Sequence, residues 1–508
     1  MYTFSSKLKT LSIVLMVLGA VGIGVGFLNA PKDIAEVEKI LAADSHGHAD
    51  AHNDHATEGH GEAKHEAHAT EATAHKVEAH HNAADSVAKI NDSLTHTEEA
   101  HDTTHVATAP AEHHDAAAHK AKTTEHVDAH AEHEKHLHHV LHQLQNKPWA
   151  ALYVACIFVM LISLGALAFY AIQQVAQAGW SPVLFRVMQG VTAYLPVGSV
   201  LFFILLVLTG MHFGHNHLFV WMNEGVDVVG HENYDKLIAG KTGYLNVPFW
   251  LIRAAIFLIG WNLYRYYSRK NCLAQDEAND NSFYKKNFKM SAAFLVFFIV
   301  TESIMSWDWI MSVDPHWFST LFGWYVFASF FVSGITTIAL VTLYLKSKGY
   351  LEFVNTSHIH DLAKFMFGIS VFWTYLWFSQ FMLIWYSNIP EEITYFITRI
   401  ENYNLPFFGM VVMNFVFPIL ILINTEFKRL TWIIVMAGTV ILLGHYVDFY
   451  NMIMPATVGD QWFIGIPEIG SLLFFVGLFI FVVFSALTKS PLLAKRNPFI
   501  EESKHFHY

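Results

Sequence analysis

The chain has 508 residues, of which 53% are hydrophobic and only 15% charged, and its formal net charge is -12. An acidic, apolar balance of this kind offers no basic footprint for nucleic acid. Its two cysteines, Cys156 and Cys272, cannot hold an iron–sulfur cluster, and no C-x-x-C-H run is present to attach a c-type haem. A Walker A loop, a Gly-rich dinucleotide turn and an H-E-x-x-H helix are absent as well. Any electrons that pass this protein must therefore be carried by a partner or a diffusible molecule.

Along the chain, ten apolar stretches are long enough to cross a bilayer: 9–29, 149–175, 194–213, 247–267, 288–312, 319–345, 361–388, 405–424, 430–450 and 467–488. Each reaches about the 20 residues that a hydrocarbon core of roughly 30 Å demands of a helix. The expected fold class is thus all-α integral membrane, a ten-transmembrane-helix bundle with a long His-rich, largely disordered extracytoplasmic insertion. Its expected parts are a first transmembrane helix (1–30), a His/Ala/Glu-rich loop (31–148), a nine-helix bundle (149–488) and a tail (489–508).

Basic residues set the expected orientation. With the N-terminus inside, cytoplasmic segments hold Lys7, Lys9, Arg186, Arg269, Lys270, Lys285, Lys286, Lys289, Lys346, Lys348, Lys428, Arg429 and the basic residues of the tail. The short loops opposite hold only Lys236, Lys241 and Arg399. Both termini are expected in the cytoplasm of a bacterium whose inner membrane this chain spans, with the His-rich loop periplasmic. The first stretch, with its basic start, also has the look of a secretory signal, but Pro31 directly after Ala30 is a poor cleavage junction and an uncleaved helix is expected.

The loop 31–148 carries 23 of the 33 histidines and almost no large apolar residues. It cannot bury enough surface to offset its ordering entropy. His136, His138, His139 and His142 are close enough in sequence to share a zinc, copper or nickel ion. Their spacings do not repeat a ligand pattern, however, and a solvated spacer is the favoured expectation.

Chemistry is sought among ionisable residues at membrane depth, which are expensive to bury and usually paired or functional. Arg253 lies about 9 Å into the fourth stretch and Glu302 about 15 Å into the fifth, at 1.5 Å per residue from their outer ends. Asp308 follows Glu302 between two tryptophans, and His445 and Asp448 share a face of the ninth. A cluster of Arg, carboxylates and His in the outer half of a bundle is what quinol oxidation needs, because the headgroup sheds two protons with its electrons. Glu302 and His445 are expected to accept protons, Asp448 and Asp308 to lead them outward, and Arg253 to pair Glu302. The plainer alternative is that Arg253 and Glu302 form an ion pair that only fixes helix register. A haem between His212 and His445 is a remoter alternative.

Lesser polar residues have local explanations. Asp361 and Lys364 can pair at i,i+3, Glu468 follows Pro467 in a first helical turn, and Pro418 is expected to kink the eighth stretch.

The fifth and sixth stretches and their short connection run Ser306-Trp307-Asp308-Trp309-Ile310-Met311-Ser312-Val313-Asp314-Pro315-His316-Trp317-Phe318-Ser319-Thr320. This string, in a ten-helix protein, resembles the ActF subunits of bacterial Alternative Complex III, the quinol:cytochrome c oxidoreductase, which are similar to ActC and, more remotely, to NrfD/polysulfide reductase membrane subunits. The resemblance covers about 149–490 and leaves out the His-rich insertion. It implies a respiratory membrane subunit without a redox cofactor of its own, working beside an ActC-like subunit, an iron–sulfur subunit and a multihaem cytochrome c subunit. Menaquinol would be oxidised, and cytochrome c or a terminal oxidase would receive the electrons. Two alternatives stand beside it: a non-catalytic scaffold of that complex, and an independent proton or ion transporter, which should show inverted repeats that this sequence lacks.

Overall fold

The structure is a computed structural model that describes residues 2–50 and 116–507, with side chains over 2–42 and 133–507. It contains two compact units, Glu38–His136 and the combination of Met1–Val37 with Leu137–Tyr508. In the first unit the described stretches 38–50 and 116–136 are helical. The expected disorder of the insertion concerns residues that lie mostly outside the described ones.

Among the described residues, ten helices are long and apolar enough to span a membrane: Ser6–Leu28, His133–Val175, Pro182–Gly210, Val247–Gln275, Ser282–Val313, Phe322–Ser347, Thr356–Ser387, Asn404–Leu422, Thr431–Val458 and Ile466–Leu487. No strand occurs among the described residues. Helix is the form that satisfies every backbone group within one segment in a solvent without hydrogen bonds. Local signals fix the ends. Asn246 caps the fourth span by accepting from Phe249 N at 3.0 Å, and Asn355 caps the seventh by accepting from Ser357 N at 2.9 Å. In the tenth, Pro467 sits in the first turn and Glu468 accepts from Gly465 N at 2.8 Å, the placement expected from sequence.

The second and sixth spans form the interior, with 94% and 89% of their apolar windows buried, whereas the first and seventh are at 22% and 28% and face outward. The first packs along the tenth through small residues. A Cβ on Gly22 would lie 2.8 Å from Gly470 Cα, and one on Gly477 would lie 2.8 Å from Ser12 O. Such close backbone approach replaces the hydrophobic drive that lipid surroundings remove.

Four features depart from the sequence expectation. The second span starts well before residue 149, because Leu137, Val140 and Leu141 are already buried. The third starts at Pro182 instead of 194: short helical pieces carry Arg186 into the interior, where its Nη2 meets Asp276 Oδ2 at 2.5 Å. Polar residues Arg186 and Gln189 hide this extension from a hydropathy reading. Ahead of Pro418, where a kink is expected, the eighth span contains a π-helical turn, Val412–Val416. Finally, the connection between the seventh and eighth spans contains an amphipathic helix, Pro390–Glu401.

Candidate functional site

The polar residues singled out at membrane depth fall into three places. At the first, the fourth and fifth spans hold Arg253 against Asp308. Arg253 Nε donates to Asp308 Oδ2 at 2.7 Å and Nη2 to Oδ1 at 3.0 Å, a two-point fork. Tyr244 OH donates to Oδ1 at 2.7 Å, and Trp250 Nε1 and Ser312 Oγ both donate to the Asp308 carbonyl, at 2.8 and 2.7 Å. The guanidinium carbon lies 4.0 Å from the Tyr244 ring centre and 4.3 Å from that of Phe249. Arg253 therefore pairs with Asp308 and not with Glu302. Sequence spacing favours Glu302 for its depth, but Asp308, six residues further along the same helix, lies on a different face, the one turned toward Arg253. With both carboxylate oxygens engaged and the cation stacked, this place is built for rigidity.

The second place joins the sixth, seventh and ninth spans around Asp448, which is fully buried. Tyr325 OH donates to Oδ1. Trp373 Nε1 donates to Oδ2 at 2.8 Å, and His445 Nδ1 lies 3.5 Å from that same oxygen, sharing a face as the i,i+3 spacing requires. His445 Nδ1 is also 2.9 Å from Ser329 Oγ, while its Nε2 is buried without a partner. Two neutral donors and one imidazole thus surround a buried carboxylate. Arg399 forms no ion pair among the described residues: it donates to the carbonyls of Asn451 at 3.0 Å and Tyr395 at 2.8 Å. Its carbon stacks 3.3 Å from the Tyr395 ring centre. A cavity of about 10 Å³ lies beside it, lined by Tyr325, Tyr395, Arg399 and Asn451 among others. That is room for about one water.

The third place is Glu302 on the fifth span, with 2% of its surface exposed. Ser303 Oγ donates to Oε1 at 2.8 Å, and Oε2 has no partner. One hydroxyl does little to offset the desolvation of a carboxylate charge at this depth. No hydrogen bond or ion pair joins Glu302 to Arg253, Asp308, His445 or Asp448 among the described residues.

The remaining candidates are peripheral. His136, His138, His139 and His142 are exposed, and no group of three His, Cys, Asp or Glu side chains able to hold a metal occurs among the described residues. His212 has its ring nitrogens at 3.2 and 3.0 Å from the carbonyls of Asn216 and Met222, so as a haem ligand it would first have to give up one of these contacts. Asp361 and Lys364 meet at 3.1 Å as expected. Tyr325, Trp373, Ser329, Tyr244 and Arg399 were not singled out in the sequence. Only Tyr325 had a signal, since it lies five residues beyond the aromatic string; Arg399 is recognisable only once the helix Pro390–Glu401 places it over the ninth span.

No protein-family model matches this chain, and no curated protein matches it. What the fold and the site define is a class: a ten-span helical membrane protein with buried carboxylates and a buried imidazole in its interior.

Proposed function

We propose that this chain is a membrane subunit of a respiratory quinol:cytochrome c oxidoreductase of the Alternative Complex III kind. It contributes a quinol-proximal site or proton path while partner subunits carry the electrons. The observation that carries the reading is the Asp448–His445 pair with Tyr325, Trp373 and Ser329. A buried carboxylate and imidazole with only neutral donors around them can hold one proton between them, and pass it on, at modest electrostatic cost. The water-sized cavity beside Tyr325 and Arg399 offers the onward step. Glu302, with an unpartnered oxygen, is a second relay position on the fifth span. With both termini cytoplasmic, as the basic residues suggest, all of this lies in the periplasmic half, where quinol protons are released. The long S-W-D-W string adds the family resemblance. It implies menaquinol as substrate and, as partners, an ActC-like subunit, an iron–sulfur subunit and a multihaem cytochrome.

A scaffold role is favoured by one specific observation, the saturated Arg253–Asp308 fork, which has no valence left for chemistry. Replacement of the proton-holding groups separates the two. Asp448→Asn and Glu302→Gln preserve shape and remove a titratable group, so in the assembled complex turnover with a menaquinol analogue, or its proton coupling, should fall about a hundredfold for a true relay position. Full turnover and coupling in both assembled variants would leave the scaffold.

A further inference from the structure

Away from these centres, the fourth span carries two arginines that no carboxylate answers. Arg265 and Arg269 are four apart on the helix Val247–Gln275 and share a face, where like charges repel. Arg269 Nη2 donates to Ser490 Oγ at 3.1 Å. Arg265 Nε is buried without a partner, and neither residue forms an ion pair among the described residues. Arg265 stands about 27 Å along the helix from Val247 at 1.5 Å per residue. In a core of roughly 30 Å this is headgroup depth at the end where the basic residues gather.

The stripe continues into the membrane. Leu258, Asn262, Arg265 and Arg269 follow at steps of four, three and four, and the first two line a groove of about 420 Å³ between the third and fourth spans. Val200, Ile204 and Ile259 form its open apolar walls, at 60%, 50% and 59% exposure. Asn262 Nδ2 donates to Ser199 Oγ at 2.9 Å across its floor, and Asn262 Oδ1 is left without a partner. No carboxylate lines it.

We propose that this stripe is a binding site for one anionic phospholipid, its acyl chain in the groove and its phosphate across Arg265 and Arg269. Charge complementarity selects the occupant. The guanidinium fork suits a phosphate, a chain fills the apolar volume, and with no carboxylate paired to either arginine among the described residues the cation of a zwitterionic headgroup finds no counter-charge. Phosphate alone would leave the groove unused.

Native mass spectrometry of the full chain in nonionic detergent tests this, with phosphatidylglycerol and phosphatidylcholine of identical acyl chains and with glycerol 3-phosphate as competitor. Phosphatidylglycerol should be retained preferentially, and each of Arg265→Gln and Arg269→Gln should lower its retention about fivefold, the factor that corresponds to one arginine near a membrane surface. Val200→Trp, on an open face that tolerates bulk, should lower retention of both lipids by filling the groove. This variant keeps the test decisive if the arginine variants do not fold. Equal retention of the two lipids by the unaltered chain, undiminished retention in Val200→Trp, or displacement by glycerol 3-phosphate as effective as by intact lipid would overturn the proposal.

Discussion

At the scale of single residues, Asp448 is answered by neutral donors and Asp308 by a cation. Asp308 is neutralised by a fork and three further polar contacts to its side chain and carbonyl. Removing Arg253 alone leaves that carboxylate buried without its cation, a loss of about 3–5 kcal/mol. Thermal unfolding of the purified chain should show Arg253→Gln strongly destabilised and Arg253→Gln/Asp308→Asn largely restored. An Arg253→Gln chain as stable as the parent would contradict the pairing. Outside the membrane, Asp235 gives a pH prediction. Burial alone would raise its carboxyl, but His316 Nε2 at 2.6 Å and the amides of Leu237 and Ile238 outweigh that and hold it below the ordinary carboxylate range. In the ordinary carboxylate range, near pH 4, the unfolded loop thus binds more protons than the folded one. The stabilisation is complete above that pH and is lost as pH falls through the lower folded value. Amide protection in the short helix Lys236–Ala239, corrected for the intrinsic exchange rate, should fall as pH drops through that range, and in His316→Ala the fall should be smaller and complete at higher pH. Identical profiles would show that His316 does not hold the carboxyl.

Among the elements, the first and tenth spans make the most exacting contact. Gly22 faces the Gly470 backbone and Gly26 the Pro467 ring at close range, so Gly470→Leu should force the two helices apart. Paired cysteines placed across this seam should cross-link in the parent and fail to do so in Gly470→Leu; retained cross-linking would mean the seam is not set by small residues. The ten spans were legible because hydrophobic length alone decides which segments cross a bilayer. The start of the third was not, since Arg186 and Gln189 are buried by mutual and Asp276 contacts that hydropathy does not register. The His445–Asp448 face followed directly from helical periodicity. Its partners did not, because Tyr325 and Trp373 arrive from other spans and nothing in one sequence says which helices are neighbours. The Arg253 partner was misassigned for a related reason: depth along a helix was legible and rotation about its axis was not.

For the molecule as a whole, the His-rich insertion and the bundle make separate demands. Leu137, Val140 and Leu141 belong to the bundle by burial, so a deletion that spares them, removing 46–132 with a short linker retained, should leave assembly and turnover near normal in metal-replete medium. Loss of assembly on adding chelator to the unaltered protein, reversed by zinc or copper, would instead assign the tract a metal role. The chain's own chemistry supplies buried proton-holding groups and, with two separate buried cysteines, no thiolate set for an iron–sulfur centre. The proposed role is therefore one that a partner must complete. Affinity purification of the tagged chain from its own membranes tests this most directly, with the reduced-haem spectrum and menaquinol-driven cytochrome c reduction measured on the product. The expected result is copurification with a multihaem subunit and quinol-dependent reduction, both lost when the chain is stripped of partners. A chain that purifies intact, alone and haem-free from membranes without quinol:cytochrome c activity would contradict it.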